Sequence, residues 1–143
     1  MKKSIKLMFA FAALFLFASL SQAQSVWEQW PEAKTFHEVM SKTFHPSEEG
    51  NLEPIKTRIG EMVKKADAWM NSKAPEAYNK QNIKDGLAKL SKEAQELEKE
   101  INSKESDEKI KTELAKLHDV FHDIVGACNN KEEKHGNHDG HGH

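Results

Sequence analysis

Apolar residues recur at steps of three and four along four stretches of the chain, the period of helices that bury one face. Few glycines or prolines interrupt residues 55–128, so this stretch has few of the turn residues that would connect the strands of a sheet. We therefore predict an all-α fold, an up-down-up-down four-helix bundle over residues 24–128. The four stripes are Trp30, Ala33, His37, Met40 and Phe44; Leu52, Ile55, Ile59, Met62, Ala66 and Trp69; Ile83, Leu87, Leu90, Ala94, Leu97 and Ile101; and Ile110, Leu114, Leu117, Phe121, Ile124 and Cys128. Phe36 and Val39 are predicted to widen the apolar face of the first helix.

Turn and capping residues separate the four helices. The first helix is expected to end at His45-Pro46, because the residue before a proline is pushed out of helical geometry. Glu48 and Glu49 then fall in a solvated loop, and Asn51 is the predicted N-cap of the second helix. Gly60 inside that helix indicates a close approach by another helix. Ser106 is the predicted N-cap of the fourth helix.

The first 23 residues have the pattern of a secretory signal peptide. Lysines at positions 2, 3 and 6 precede an apolar run from Leu7 to Leu20, and Ser21-Gln22-Ala23 is a small-x-small cleavage signal. The run is too short for a lasting transmembrane helix. We expect cleavage after Ala23 and a secreted or periplasmic protein that is not inserted in the membrane.

Charge and cysteine content narrow the classes of partner. From Gln24 onward the chain carries 18 basic and 23 acidic residues, a formal charge of about −5. This argues against nucleic acid or an anionic membrane surface as partner. Cys128 is the single cysteine, so no internal disulfide forms; we interpret it as a buried thiol, with pairing between chains as the alternative.

Histidines supply the candidate chemistry. His118 and His122 are four residues apart beside the apolar stripe of the fourth helix, so both imidazoles can reach one metal ion. His37 is predicted to face the core of the first helix, which lies antiparallel to the fourth in this topology. With His45, these are all the histidines of the folded part. They are candidate ligands of a shared metal or haem site, with Met40 as a tentative soft ligand.

Each of these residues also has a structural interpretation. A core histidine is commonly a hydrogen-bonded structural residue, and methionines commonly fill core gaps. Asp119 and Asp123 lie near His122 in sequence and are candidates to orient a metal-binding imidazole through a hydrogen bond, although surface helices carry many such acids.

The composition changes after Cys128 to Asn129–His143, NNKEEKHGNHDGHGH. Without apolar residues to pack, residues 129–143 are predicted to be a disordered tail. Four imidazoles on glycine-rich backbone are a composition typical of metal capture with low selectivity. They belong to His135, His138, His141 and His143.

Catalytic motifs are weak, and we do not expect an enzyme. His118-Asp119-Val120-Phe121-His122 has aspartate where the zinc-protease motif has glutamate, and the chain lacks the length and strands of that fold. A di-iron bundle needs Glu-x-x-His on two helices, whereas only Asp119-x-x-His122 comes close. Covalent haem attachment would need Cys-x-x-Cys-His, which the sequence does not contain.

Two families show a resemblance in architecture and composition. A Met40 on the first helix with His118 or His122 on the fourth resembles the b-type cytochrome bundles, which hold haem between such residues. In that family, however, the methionine lies near the start of the chain. The signal peptide and histidine-rich tail look more like small periplasmic heavy-metal-binding proteins of efflux and resistance systems. That resemblance implies handling of copper, zinc, nickel or cobalt.

The sequence thus leaves three hypotheses. The leading one is a non-enzymatic exported protein of metal homeostasis or resistance, with an ordered histidine site and a tail that captures ions. The second is a haem b protein for electron transfer or haem storage. The third is an interaction-only partner of a membrane or metal-efflux assembly, with structural histidines in the folded part. Imidazole suits zinc, copper, nickel and iron alike, so the ligands do not select one metal.

Overall fold

The computed structural model describes residues 25–130. The predicted signal peptide and the tail histidines lie outside these residues. The described part contains a short helix α1, Val26–Gln29, and four long helices: α2, Pro31–Glu48; α3, Glu53–Asn71; α4, Gln81–Asn102; and α5, Asp107–Asn129. A single 3-10 turn, Glu76–Tyr78, lies between α3 and α4, and no strand occurs within residues 25–130. The predicted all-α class is confirmed for this part of the chain.

The four long helices pack against each other around one apolar core. Each contacts the next along the chain, and α2 also contacts α5. This last contact, which we call the α2–α5 seam, is the least extensive of the four, and α1 packs against both of its helices. Every apolar position of the stripe predicted for α3 is buried: Leu52, Ile55, Ile59, Met62, Ala66 and Trp69.

The buried face of α2 includes Ala33 and Met40 of the predicted stripe and is centred closer to Phe36 and Val39, which were expected only to widen it. His37 is exposed rather than core-facing, and the buried positions are Ala33, Phe36, Val39, Met40, Thr43 and Ser47. Burying the large ring of Phe36 turns His37 to the rim of the core. The hydroxyl of Thr43 donates to the carbonyls of Val39 and Met40 at 2.9 and 3.1 Å, so this polar side chain is buried at little cost.

The predicted end of the first helix at His45-Pro46 is wrong. α2 continues through Pro46 to Glu48. The turn after the proline is held because the N–H groups of Glu49 and Asn51 both donate to the Pro46 carbonyl, at 3.1 and 2.9 Å. Gly50 has φ +86°, the left-handed conformation of a Schellman turn. Glu48 is therefore a helical residue and not part of a loop.

Three predicted turn and packing features have different outcomes. Ser106 is the N-cap of α5, and its Oγ accepts from the N–H of Lys109 at 3.3 Å, as predicted. Leu52, not Asn51, occupies the N-cap position of α3, although Asn51 Oδ1 accepts from the N–H of Glu53 at 3.1 Å. The close approach expected at Gly60 occurs instead at Gly86, where a Cβ would lie 2.8 Å from Cγ1 of Ile124.

Across residues 25–130, each helix is too short or too polar to cross a lipid bilayer.

Candidate metal site

His118 and His122 form a close pair on α5. Their Nε2 atoms are 3.1 Å apart, a hydrogen-bond distance at which one ring carries the shared proton and the other accepts it. The i to i+4 spacing on a regular helix produces this approach directly. Two imidazole nitrogens bound to one tetrahedral zinc ion at about 2.0 to 2.1 Å lie about 3.3 Å from each other. The pair is thus spaced as two ligands of one ion, which would replace the shared proton.

The ring of Phe44 orients the pair from across the α2–α5 seam. It stacks on the ring of His118 with 3.7 Å between centroids and 10° between planes. His118 is half-buried under this ring, whereas His122 is exposed to solvent. The pair therefore has one ligand held by packing and one that incoming ions can reach.

Burial and neighbouring charge favour the neutral form of His118. Burial lowers the pKa of His118 below its usual value of 6.5, and positive charge on His122 lowers that pKa further. The carboxylates of Asp119 and Glu48 raise the pKa of His118, but they do not reverse the shift. A neutral imidazole is the form that binds metal, so protons compete less at this position than at an unperturbed histidine.

His45 and Glu48 lie at the last turn of α2, beside the pair. Nδ1 of His45 and Oε2 of Glu48 are 3.3 Å apart, and both side chains are mostly solvent-exposed, at 68% and 56%. Their charges act on His118 from across the α2–α5 seam. The predicted candidate ligand His45 is thus near the histidine pair, engaged with a carboxylate.

His37 is held one turn away in an aromatic stack. Its ring lies 4.8 Å from that of Trp27 on α1 and 5.6 Å from that of Phe121 on α5, between centroids. The predicted gathering of His37 with His118 and His122 is not formed in this arrangement. Stacking on these two rings holds His37 in place although it is exposed.

No three His, Cys, Asp or Glu side chains within residues 25–130 are placed to hold a metal ion together. Met40, the tentative soft ligand, is 1% exposed and lies in the core, whereas His122 of the histidine pair is at the surface. The tail histidines His135, His138, His141 and His143 lie outside the described residues.

Glu48 is a residue near the pair whose position differs from the sequence prediction. Ending the first helix at His45-Pro46 placed Glu48 in a solvated loop. The signal that would have found it is the spacing Phe44–Glu48, four residues, which puts both on one helical face once α2 passes through Pro46.

Cys128 is half-buried near the end of α5. Burial raises the pKa of its thiol to about 11, against the opposing effect of Lys80. The thiol is therefore protonated at neutral pH and is a weak ligand and a slow nucleophile. Cys128 is thus partly buried against the core, rather than fully buried as predicted.

Two surface cavities lie away from the histidines. One of about 230 Å³ is bordered by Gly86, Val120 and Ile124, and one of about 360 Å³ is bordered by Trp30, Met70 and Lys84. Neither of these two cavities is lined by a histidine.

Comparison of the chain with protein-family models, curated proteins and solved structures finds no match. The function is therefore argued from the site itself.

Proposed function

We propose that this protein is a non-enzymatic, exported metal-binding protein, an up-down-up-down four-helix bundle that binds a divalent transition metal through His118 and His122. The observation that carries the proposal is the 3.1 Å distance between the two Nε2 atoms. A role in metal homeostasis or resistance accords with the signal-peptide pattern and the histidine-rich tail.

The surroundings of the pair favour a divalent ion. Imidazole nitrogens suit borderline ions such as Zn²⁺, Cu²⁺, Ni²⁺ and Co²⁺. The carboxylates of Asp119 and Glu48 already act on His118, and they add negative potential for an incoming cation. The stack of Phe44 on His118 limits rotation of one ligand before binding, which reduces the ordering cost of forming the site.

The tail contributes a second mode of capture. Its four histidines raise the local concentration of imidazole near the end of α5, since the tail begins directly after that helix. In this proposal the tail binds ions with low selectivity, and the pair on α5 holds one ion in a defined geometry.

The test separates the pair from the tail. In the full chain, His135, His138, His141 and His143 are replaced by alanine, and Zn²⁺ binding is measured by competition with a chromogenic chelator. We expect about one tightly bound Zn²⁺ per chain when only the tail histidines are replaced. The His118→Ala/His122→Ala variant should lose this tight site, because it has neither of the two imidazole ligands.

The matched control is His37→Ala, which removes another exposed histidine of the same seam without touching the pair. It should retain the tight site. An unchanged Zn²⁺ stoichiometry and affinity in the His118→Ala/His122→Ala variant would contradict the proposal. An absorption spectrum of the protein as purified tests the haem b alternative, since bound haem has an intense Soret band.

A further inference from the structure

The last turn of α2 is directed at the histidine pair. Contacts between His37 and Phe121 and between Phe44 and His118 show that α2 and α5 run in opposite directions along the α2–α5 seam. Side chains on a helix tilt toward its N-terminus. The ring of His118 therefore tilts toward the C-terminal end of α2, and a side chain at that end tilts back toward His118.

Glu48 is the residue at this C-terminal end of α2. It follows Phe44 by four residues, so it lies on the same face about 6 Å further along the axis. Phe44 is itself in stacking contact with His118. Glu48 is thus one helical turn from the ring that covers His118, and its charge acts on His118.

Glu48 is weakly held where it is. Its contact in the structure is the 3.3 Å pairing with His45, and both side chains are more than half exposed. Exposed ion pairs of this kind contribute little, about 0 to 1 kcal/mol. A carboxylate at the C-terminal end of a helix also faces the negative end of the helix dipole, which is unfavourable. Rotation of Glu48 away from His45 therefore costs little.

We propose that Glu48 is the third protein ligand of the metal, completing a set of two histidines and one carboxylate with His118 and His122. This inference rests on the proposed function of the histidine pair. In the arrangement described for residues 25–130 the three groups do not yet form a site; on binding, Glu48 exchanges His45 for the ion. Two imidazoles and a carboxylate fit borderline divalent ions, and coordination positions remain open to solvent.

The proposed site differs from a pair of histidines on one helix because its ligands lie on two helices. Because Glu48 is on α2 and the pair is on α5, a bound ion ties the two helices together across the least extensive of the four contacts between long helices. Metal binding then stabilises the packing of α2 against α5, and not only the α5 helix itself.

The experiment compares Glu48→Gln with Glu49→Gln in the full chain carrying alanine at the four tail histidines. Both variants remove one charge from adjacent exposed residues, so Glu49→Gln is the matched control. Zn²⁺ affinity is measured by chelator competition in low and high salt, and the visible spectrum of bound Co²⁺ reports the ligand set. Circular dichroism checks that each variant is folded.

We expect Glu48→Gln to weaken Zn²⁺ binding by about 10- to 100-fold in both salt conditions and to change the Co²⁺ spectrum. Glu49→Gln should stay within about two-fold of the parent, because exposed charges contribute little. An effect of Glu48→Gln that disappears in high salt would assign Glu48 a role as a nearby charge and overturn the inference.

Two further outcomes separate this inference from the proposed function. Equal affinities for Glu48→Gln, Glu49→Gln and the parent, with binding lost in His118→Ala/His122→Ala, would overturn the role of Glu48 and leave the pair intact. Binding that survives in His118→Ala/His122→Ala would overturn both.

Discussion

His118 is the residue at which packing and electrostatics act together most directly. It is half-buried under Phe44, and its ring nitrogen is in hydrogen-bond contact with that of His122. Its pKa is lowered by burial first and by the charge of His122 second, against the carboxylates of Asp119 and Glu48. The charge of His45 lowers this pKa as well, and it is the smallest of these effects. The native state therefore resists protonation at this imidazole.

This shift predicts a loss of stability in mild acid for the metal-free protein. Below pH 6.5 the unfolded chain takes up a proton at His118 before the folded protein does. The free energy of unfolding should thus fall as the pH drops through 6.5 toward the lower pKa of the folded state. Urea unfolding between pH 8 and pH 5, with a chelator present, measures the loss.

The comparison for this prediction is His118→Gln, which removes the titrating group at that position. Its stability should decline less steeply than that of the parent over the same pH range. Parallel curves for the two proteins would show that another group causes the pH dependence.

At the scale of elements, Gly86 sets how closely α4 and α5 approach. A Cβ at this position would lie 2.8 Å from Cγ1 of Ile124, a side chain that is 2% exposed. Gly60, by contrast, has only Oε1 of Glu98 nearby, at 3.6 Å, an ordinary contact distance. Both glycines cost helix propensity, but only Gly86 has a packing reason to be retained.

Alanine substitutions at the two glycines should therefore have opposite effects. Gly86→Ala forces α5 or Ile124 to move, and we expect it to lower the free energy of unfolding by about 1 to 2 kcal/mol. Gly60→Ala should raise the free energy of unfolding by about 0.5 to 1 kcal/mol. Urea denaturation of both variants tests this; a Gly86→Ala protein as stable as Gly60→Ala would contradict the close approach.

At the scale of the whole molecule, stacked aromatic and histidine rings hold α2 and α5 together along the α2–α5 seam, where the helices themselves make little contact. Trp27 on α1 stacks with His37 at 4.8 Å and with Phe121 at 6.0 Å between centroids. Phe44 and His118 form the next stack along the seam. The first helix of the described chain thus fastens the first and last long helices to each other.

Removing the ring of Trp27 should weaken the packing along the α2–α5 seam without disturbing the remaining core. We expect Trp27→Ala to lower the free energy of unfolding by about 1 to 3 kcal/mol, less than for a fully buried tryptophan, because Trp27 is only partly buried. Amide hydrogen exchange should accelerate in α5 around Phe121. Trp27→Phe, which keeps a ring in place, should recover much of the loss. Unchanged exchange in α5 would contradict a fastening role.

The predicted site was partly recoverable from spacing. The approach of His118 and His122 follows from four residues on one helix, a local relation. The place of His37 was wrong because the rotation of α2 depends on which of two adjacent residues enters the core, and Phe36 does so. Glu48 was placed in a loop because a proline usually ends a helix, whereas α2 continues through Pro46 to Glu48.

The sequence by itself determined the helical class, the buried stripe of α3, the capping of α5 by Ser106 and the pairing of two histidines one turn apart. Each follows from periodicity or from contacts between residues a few positions apart, which the chain carries locally. Tertiary structure decided which face of α2 is buried, that Gly86 rather than Gly60 lies against a neighbouring helix, and that Phe44 covers His118. These depend on how helices distant in sequence rotate and approach to fill one core, a choice made by packing over the whole molecule.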